Sequence, residues 1–212
     1  MTVQGTDEWH KERLGKVTAS RVADVIARTK SGYGAARANY MAQLIAERLT
    51  GIPSESFTNA AMQWGTATEP DARVAYEFYT DATVREVGFV PHPEIVLSGA
   101  SPDGLVGEDG LVEIKCPNTA THIDTLLGGT VPDKYVVQML WQMACTGRQW
   151  CDFASYDPRL PEEMRLFVQR VKRDDERLAE IEAEVRLFLD ELARKAADLR
   201  NRYSIETEME AA

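Results

Sequence analysis

The 212-residue sequence predicts an α/β fold in which a mixed central sheet is flanked by helices. Three observations carry that prediction. Apolar residues recur at three- and four-residue intervals over 18–49, 68–78, 135–145 and from about 174 onward, the helical period. Short β-rich pieces bounded by SPDG and GEDG turns fill the middle of the chain. No Pro/Gly/Ser-rich linker or internal repeat interrupts the pattern, so residues 1–212 read as one domain, with a motif-bearing core at about 9–172 and a long C-terminal helix at about 174–203.

In chain order, Thr18 and Ser20 offer N-cap oxygens ahead of Val22, Val25 and Ile26. The stretch Ala36–Leu49 places Met41, Leu44, Ile45 and Leu49 on one face and stops at Gly51. A third helix is expected from near Thr68, with Pro70 in its first turn, continuing through Val74 and Phe78. Strands follow at Thr83–Val90, Ile95–Ser98 and Leu111–Cys116. A helix spans Tyr135–Cys145, and further strands lie near Trp150–Tyr156 and Met164–Val171. From Asp174, the residues Leu178, Ile181, Val185, Phe188, Leu192, Ala196 and Leu199 form one apolar seam. That seam fits either the domain's own core, the preferred reading, or a coiled coil between subunits.

Composition excludes several classes. With 44% hydrophobic and 27% charged residues the chain is neither disordered nor collagen-like. It has no apolar run long enough for a membrane span and no signal-peptide segment, so a cytoplasmic location is expected. Cys116, Cys145 and Cys151 form no CxxC pair, which argues against a disulfide scaffold and a cysteine-ligated cluster. His10, His92 and His122 are too dispersed for zinc. A net charge of −10 speaks against nucleic acid at first sight. The acidity is uneven, however: residues 1–50 carry +3, residues 51–161 carry −9 and residues 162–212 carry −4.

The strongest local signal is Ser101-Pro102-Asp103-Gly104 followed by Glu113-Ile114-Lys115. On a strand, Glu113 and Lys115 share a face and Ile114 points into the core. A turn beside them would deliver Asp103 to the same place. Two carboxylates then suit Mg²⁺ or Mn²⁺ rather than zinc, and such an ion can activate water for attack on a phosphate. The isolated spacing also fits a surface ion-pair trio, but a buried strand does not idly carry Glu and Lys.

Three other constellations accompany the trio. In Trp9-His10-Lys11-x-Arg13-Leu14-Gly15-x-x-Thr18-Ala19-Ser20, Arg13 can grip a phosphate with two donors and Ser20 stands at a helix start. Taken alone it also reads as a helix cap with a solvated face. Trp64-Gly65-x-x-x-Glu69 places an acid near an expected helix N-terminus, either complementing the dipole or serving the metal side. Tyr135-x-x-Gln138 with Gln142 could hydrogen-bond a phosphate or water, although glutamines on an amphipathic helix are ordinarily surface residues.

Together these blocks resemble the phage lambda exonuclease and YqaJ-like viral recombinase exonuclease family, within the PD-(D/E)xK nuclease superfamily. The similarity runs from about Trp9 to Arg159 through WHKERLGKVTAS, AMQWGTATEPDAR, GASPDGLV, LVEIKCP, LLGGTVPDKYVVQ and ASYDPR. It implies a restriction-endonuclease-like fold and a Mg²⁺-dependent, processive 5′-to-3′ exonuclease of duplex DNA ends. Mn²⁺ would substitute, and Ca²⁺ would bind without supporting turnover. By resemblance, Asp103, Glu113 and the Ile114 carbonyl hold metal, Lys115 is the catalytic lysine, and Glu69 and Gln138 stand beside the centre. Arg13, Ser20 and Ser101 match 5′-phosphate positions, Met62 the wedge at the terminal base pair, and Lys30 and Tyr135 further DNA-facing positions. The resemblance also implies a homotrimeric ring and a single-strand annealing protein as partner.

The sequence departs from the family pattern at Lys30, where an arginine is expected, at Met62 for a branched wedge, and around Thr121, where no arginine occurs. Two other classes of function share parts of the pattern. An endonuclease of the same superfamily would nick closed circles, and a non-catalytic end-binding module would tolerate loss of Asp103, Glu113 or Lys115.

Overall fold

The computed structural model describes residues 2–30, 32–54 and 60–203. The chain opens with α1 (Asp7–Arg13), capped by the Thr6 side chain accepting from Trp9 N, then β1 (Val17–Thr18) and α2 (Ala19–Ile26). A short hairpin, β2 (Arg28–Thr29) and β3 (Gly32–Tyr33), precedes α3 (Ala35–Thr50) and α4 (Ala60–Thr80). Next come β4 (Val84–Arg85), β5 (Val90–Pro91), β6 (Ser98–Ala100), β7 (Gly104–Val106) and β8 (Gly110–Lys115). The chain continues through α5 (Thr119–Gly128), α6 (Asp133–Thr146), β9 (Trp150–Tyr156), a 3-10 turn, β10 (Leu166–Lys172) and α7 (Asp175–Tyr203).

The main sheet has the order β10-β9-β8-β7-β4. Only the β8–β9 pair in it is parallel, with Glu113 opposite Phe153 and Lys115 opposite Ser155; the other pairs are antiparallel. The parallel pair needs a crossover, which α5 and α6 supply. A second sheet, β1-β6-β5, joins the start of the chain to the segment just ahead of Asp103. The mixed sheet, the flanking helices and the long C-terminal helix are those the sequence predicts.

The two-residue side-chain period divides β8 between two cores. Leu111 joins Phe153, Met139, Val22, Leu44 and Phe188 in the larger cluster, on the side of α2, α3, α6 and α7. Val112 and Ile114 join Ala72, Tyr76 and Ala154 in the smaller one, under α4. Glu113 therefore points to the α6 side, where it is wholly buried. At the other end of β8, Gly110 has no side chain because a Cβ there would meet the Trp150 indole at 2.1 Å.

The C-terminal seam docks on the domain's own core, as preferred: Leu178, Ile181, Val185, Phe188, Leu192 and Ala196 are all buried within the chain. Leu199, expected in the same seam, is 39% exposed.

Several boundaries differ from expectation. The third predicted helix begins at Ala60 rather than near Thr68, so Pro70 is interior. Pro70 has no N–H for the Thr66 carbonyl. Thr66 is solvent-exposed on a cleft, where water can serve that carbonyl, so the helix continues. Its buried face is Thr68, Ala72 and Tyr76, while Val74 and Phe78 face outward at 66% and 92% exposure. Small residues let α4 lie close to the sheet, and the larger apolar pair misstates the inward face. Ser20 lies inside α2, not ahead of it, and Thr18 caps the helix without a side-chain bond. The expected strand over Thr83–Val90 is two separate pairings, β4 and β5, in different sheets. The strand placed at Ile95–Ser98 is displaced to Ser98–Ala100. Among the elements missed are α1, the β2–β3 hairpin and α5, the last capped by Asn118 accepting from Thr121 N.

Candidate functional site

The site forms where the end of β8 meets the loop before β7 and the first turns of α6. Asp103 sits in that loop, and its Oδ2 accepts from the Ile114 N–H at 2.7 Å. A strand amide that a neighbouring strand would otherwise use thus holds the carboxylate beside Glu113. Lys115 pairs with Glu113 Oε1 and keeps 28% of its side chain exposed, whereas Glu113 has none. Gln138 Nε2 donates to Glu113 Oε1 at 2.6 Å and Gln142 Nε2 donates to Oε2 at 2.5 Å. One turn apart on α6, the two glutamines present the same face.

The electrostatics follow from crowding. Burial, then the neighbouring Glu113 charge, hold the Asp103 carboxyl well above its ordinary value. Burial would depress the Lys115 ammonium, but Glu113 and Asp103 more than reverse this and raise it. Two carboxyl groups thus crowd beside a single ammonium. Glu69, placed mid-helix on α4 rather than at an N-terminus, is raised by burial; it accepts from Arg73 Nη2 at 3.1 Å.

Two cavities meet at Lys115. One, of about 170 Å³, is lined by Arg13, Ser20 and Ser101 together with Asp103, Lys115 and Gln138. The other, of about 450 Å³, is lined by Met62, Glu69, Ile114, Lys115, Cys116 and Tyr135 among others. In the first, Trp9 Nε1 and Arg13 Nη1 converge on Ser101 Oγ at 2.9 and 3.3 Å, and the Arg13 guanidinium stacks on the Trp9 ring at 4.0 Å. In the second, the Lys115 ammonium lies 5.4 Å from the Tyr135 ring centroid, and Met62 is 52% exposed.

Ten of the eleven predicted site residues other than Ile114 thus belong to this cluster or its two cavities. Lys30 does not: it is exposed at the tip of the β2–β3 hairpin and lines neither cavity. Residues missed by sequence reasoning include Gln4, which lines the smaller cavity and donates to the Val87 and Pro102 carbonyls at 2.9 and 2.8 Å. No pattern marks it, since its role comes from contacts nearly one hundred residues away in sequence. Arg159 is another; it grips Asp157 with Nε and Nη2 and lies 4.4 Å from the Trp64 ring centroid, bracing the end of β9 against α4.

The sequence matches the YqaJ-like viral recombinase domain over residues 8–149, a span that contains every residue of the two cavities except Gln4. The chain belongs to the YqaJ-like viral recombinase family. It is 56% identical to an alkaline exonuclease from Laribacter hongkongensis, whose crystal structure superposes with a TM-score of 0.88 over 94% of this chain and 98% of that one. The crystal structure of the same Laribacter protein in complex with dAMP gives a TM-score of 0.89 with the same coverage. A phage-related exonuclease from Haemophilus somnus 129PT, 14% identical, shares the fold with a TM-score of 0.69 over 87% of this chain and 96% of that one. Comparison with curated protein sequences finds no match. Within this YqaJ-type chain, no helix among the described residues is long and apolar enough to cross a membrane.

The donor set fits a hard divalent ion. Among the described residues no three His, Cys, Asp or Glu side chains gather as a complete metal cluster. The candidate ligands are instead the Asp103 and Glu113 carboxylates and a backbone carbonyl, all oxygen. Burial pushes the nearby Cys116 thiol up to about 12, so it stays protonated and offers no soft thiolate.

Proposed function

We propose that this protein is a Mg²⁺-dependent exonuclease that enters the end of duplex DNA and degrades the 5′-ended strand, leaving 3′ single-stranded DNA. One observation supports this above the others: a small cavity bearing Arg13, Ser20 and Ser101 opens directly onto Asp103, Lys115 and Gln138. A terminal phosphate seated there places the next phosphodiester beside the carboxylates. The Laribacter relative, named an alkaline exonuclease, supports the exonuclease part of this reading.

The roles follow from the chemistry of each group. Arg13 lies over the Trp9 ring and donates to Ser101 Oγ, so its fork is held before the phosphate arrives. Ser20, in the first turn of α2, adds a hydroxyl where the helix dipole favours an anion. Asp103, Glu113 and the Ile114 carbonyl would hold a divalent ion, which supplies charge neutralisation and a water acidified for attack. Lys115, kept protonated by its acidic neighbours, stabilises the charge that grows on the phosphate oxygens. Glu69 and Tyr135 line the larger cavity, where the strand beyond the scissile bond would lie, and Met62 on α4 would meet the terminal base pair. Lys30, displaced from both cavities, would touch the duplex farther from its end. Mn²⁺ would replace Mg²⁺, and Ca²⁺ would bind without turnover. We place the protein as a homotrimeric ring around DNA, acting with a single-strand annealing protein in recombination.

The test is digestion of one plasmid, linear or covalently closed, with Mg²⁺ or EDTA. The reading expects loss of linear DNA only, and only with Mg²⁺. Equal degradation of closed circles would identify an endonuclease instead.

A further inference from the structure

Glu113 accepts from more groups than its trio with Asp103 and Lys115 requires. Oε1 takes Gln138 Nε2 at 2.6 Å and pairs with Lys115. Oε2 takes Gln142 Nε2 at 2.5 Å. A carboxylate offers about four acceptor directions, two on each oxygen. Among the described residues, Oε1 is thus filled and Oε2 keeps one direction open.

Gln142 is itself oriented from behind. Wholly buried on α6, its Oε1 lies 3.8 Å from Cys151 Sγ, whose thiol, wholly buried on β9, can donate to it or to the Asp152 carbonyl at 3.9 Å. Burial keeps that thiol protonated. With its oxygen turned to a donor, the amide can present only its NH₂ group to Glu113; turned over, it would set oxygen against oxygen. The spacing after Gln138 marks Gln142 only as a polar helix residue able to meet a phosphate or water, and an amphipathic helix would ordinarily turn it to solvent.

We infer that Gln142, oriented by Cys151, is a positioning residue that pins Glu113 Oε2, so that the one acceptor direction left on this carboxylate is held for a divalent cation shared with Asp103. The inference rests on the metal-centre reading above. Partners that orient a metal ligand from outside its coordination shell typically change affinity about 10- to 100-fold when removed.

The experiment is calorimetric titration of Mn²⁺ into the full-length wild-type protein and Gln142→Leu, with thermal unfolding of each in the absence of metal. The expected result is binding to both, about 10- to 100-fold weaker in a cooperatively folded Gln142→Leu. Leu140→Ala loosens the same buried helix without touching Glu113 and should leave affinity at the wild-type value. Equal affinity in wild type and folded Gln142→Leu overturns the positioning role and leaves the metal centre standing. A loss in Leu140→Ala as large as in Gln142→Leu overturns it too, by reducing it to packing. No Mn²⁺ binding to the wild type overturns the metal centre and this inference together. If Gln142→Leu does not fold, Cys151→Val removes only the thiol donor; a loss on the order of threefold supports the oriented amide, and unchanged affinity overturns it.

Discussion

Trp9 donates from Nε1 to Ser101 Oγ at 2.9 Å, tying α1 to the loop in front of Asp103. Arg13 stacks on the Trp9 ring and reaches the same hydroxyl. Arg13 and the loop that leads into Asp103 are therefore tied together through one hydroxyl, although nearly ninety residues separate them in sequence. Burial lowers the pKa of the Arg13 guanidinium, yet it remains a cation at any working pH.

Arg13→Ala should erase the preference for 5′-phosphoryl over 5′-hydroxyl ends. Hydrogen bonds to a charged group contribute about 1.5–3 kcal/mol, so the rate ratio should fall about 10- to 100-fold. Arg13→Lys keeps the charge but loses the planar fork, and should recover only part. Digestion of the two end types under single-turnover conditions reads both variants. An undiminished preference in Arg13→Ala would place the terminal phosphate elsewhere.

Lys115→Ala should lower turnover by about 10²–10³-fold while the protein still unfolds cooperatively. The same change leaves Glu113 and Asp103 without their ammonium. Added Mg²⁺ should therefore raise the melting temperature of Lys115→Ala more than that of the wild type. Thermal unfolding with and without Mg²⁺ checks this; a smaller upshift in the variant would contradict the electrostatic account.

Phe188→Ala should destabilise the protein by about 3–5 kcal/mol. Phe188 is fully buried in the larger core and stacks on Tyr40 at 5.8 Å between ring centroids. Denaturant titration gives the value. A cost below 1 kcal/mol would mean that α7 is not integral to the domain.

The Asp157 prediction concerns acid. Burial pushes its carboxyl up, but hydrogen bonds from Arg159 and Thr119 outweigh burial and hold it at about 2, against an ordinary 3.8. A folded pKa below the unfolded one means that the stabilisation is complete above the unfolded value. It is then lost as pH falls from about 4 to about 2. In Asp157→Asn the melting temperature should already be lower at neutral pH, and the gap to the wild type should close across that window. A gap that stays constant down to pH 2 would show that the ion pair contributes nothing.

Much of the fold and candidate site was legible in the sequence because local rules govern both. β9 falls where the apolar pattern puts it, and α7 shows its buried face through seven residues of regular spacing, six of which are buried. Asp103, Glu113 and Lys115 converge because a turn and a strand's two-residue period dictate it. What stayed hidden depends on distant partners. Thr68 and Ala72 form the inner face of α4 because the sheet lies close there, a fact absent from the local pattern, which offers Val74 and Phe78 instead. Gln142 reads as a surface residue until β8 and β9 place Glu113 and Cys151 against it. Lys30 sits in a glycine-containing loop, yet the short hairpin is pinned to α7 through Arg28 and Tyr33 on Glu184, away from both cavities.

The most direct test of the central claim is a crystal structure with Ca²⁺ and a 5′-phosphorylated duplex end. The account predicts one cation bridging Asp103 and Glu113, with the terminal phosphate on Arg13, Ser20 and Ser101. A cation bound away from both carboxylates, or a DNA end lying outside the Arg13 cavity, would contradict it.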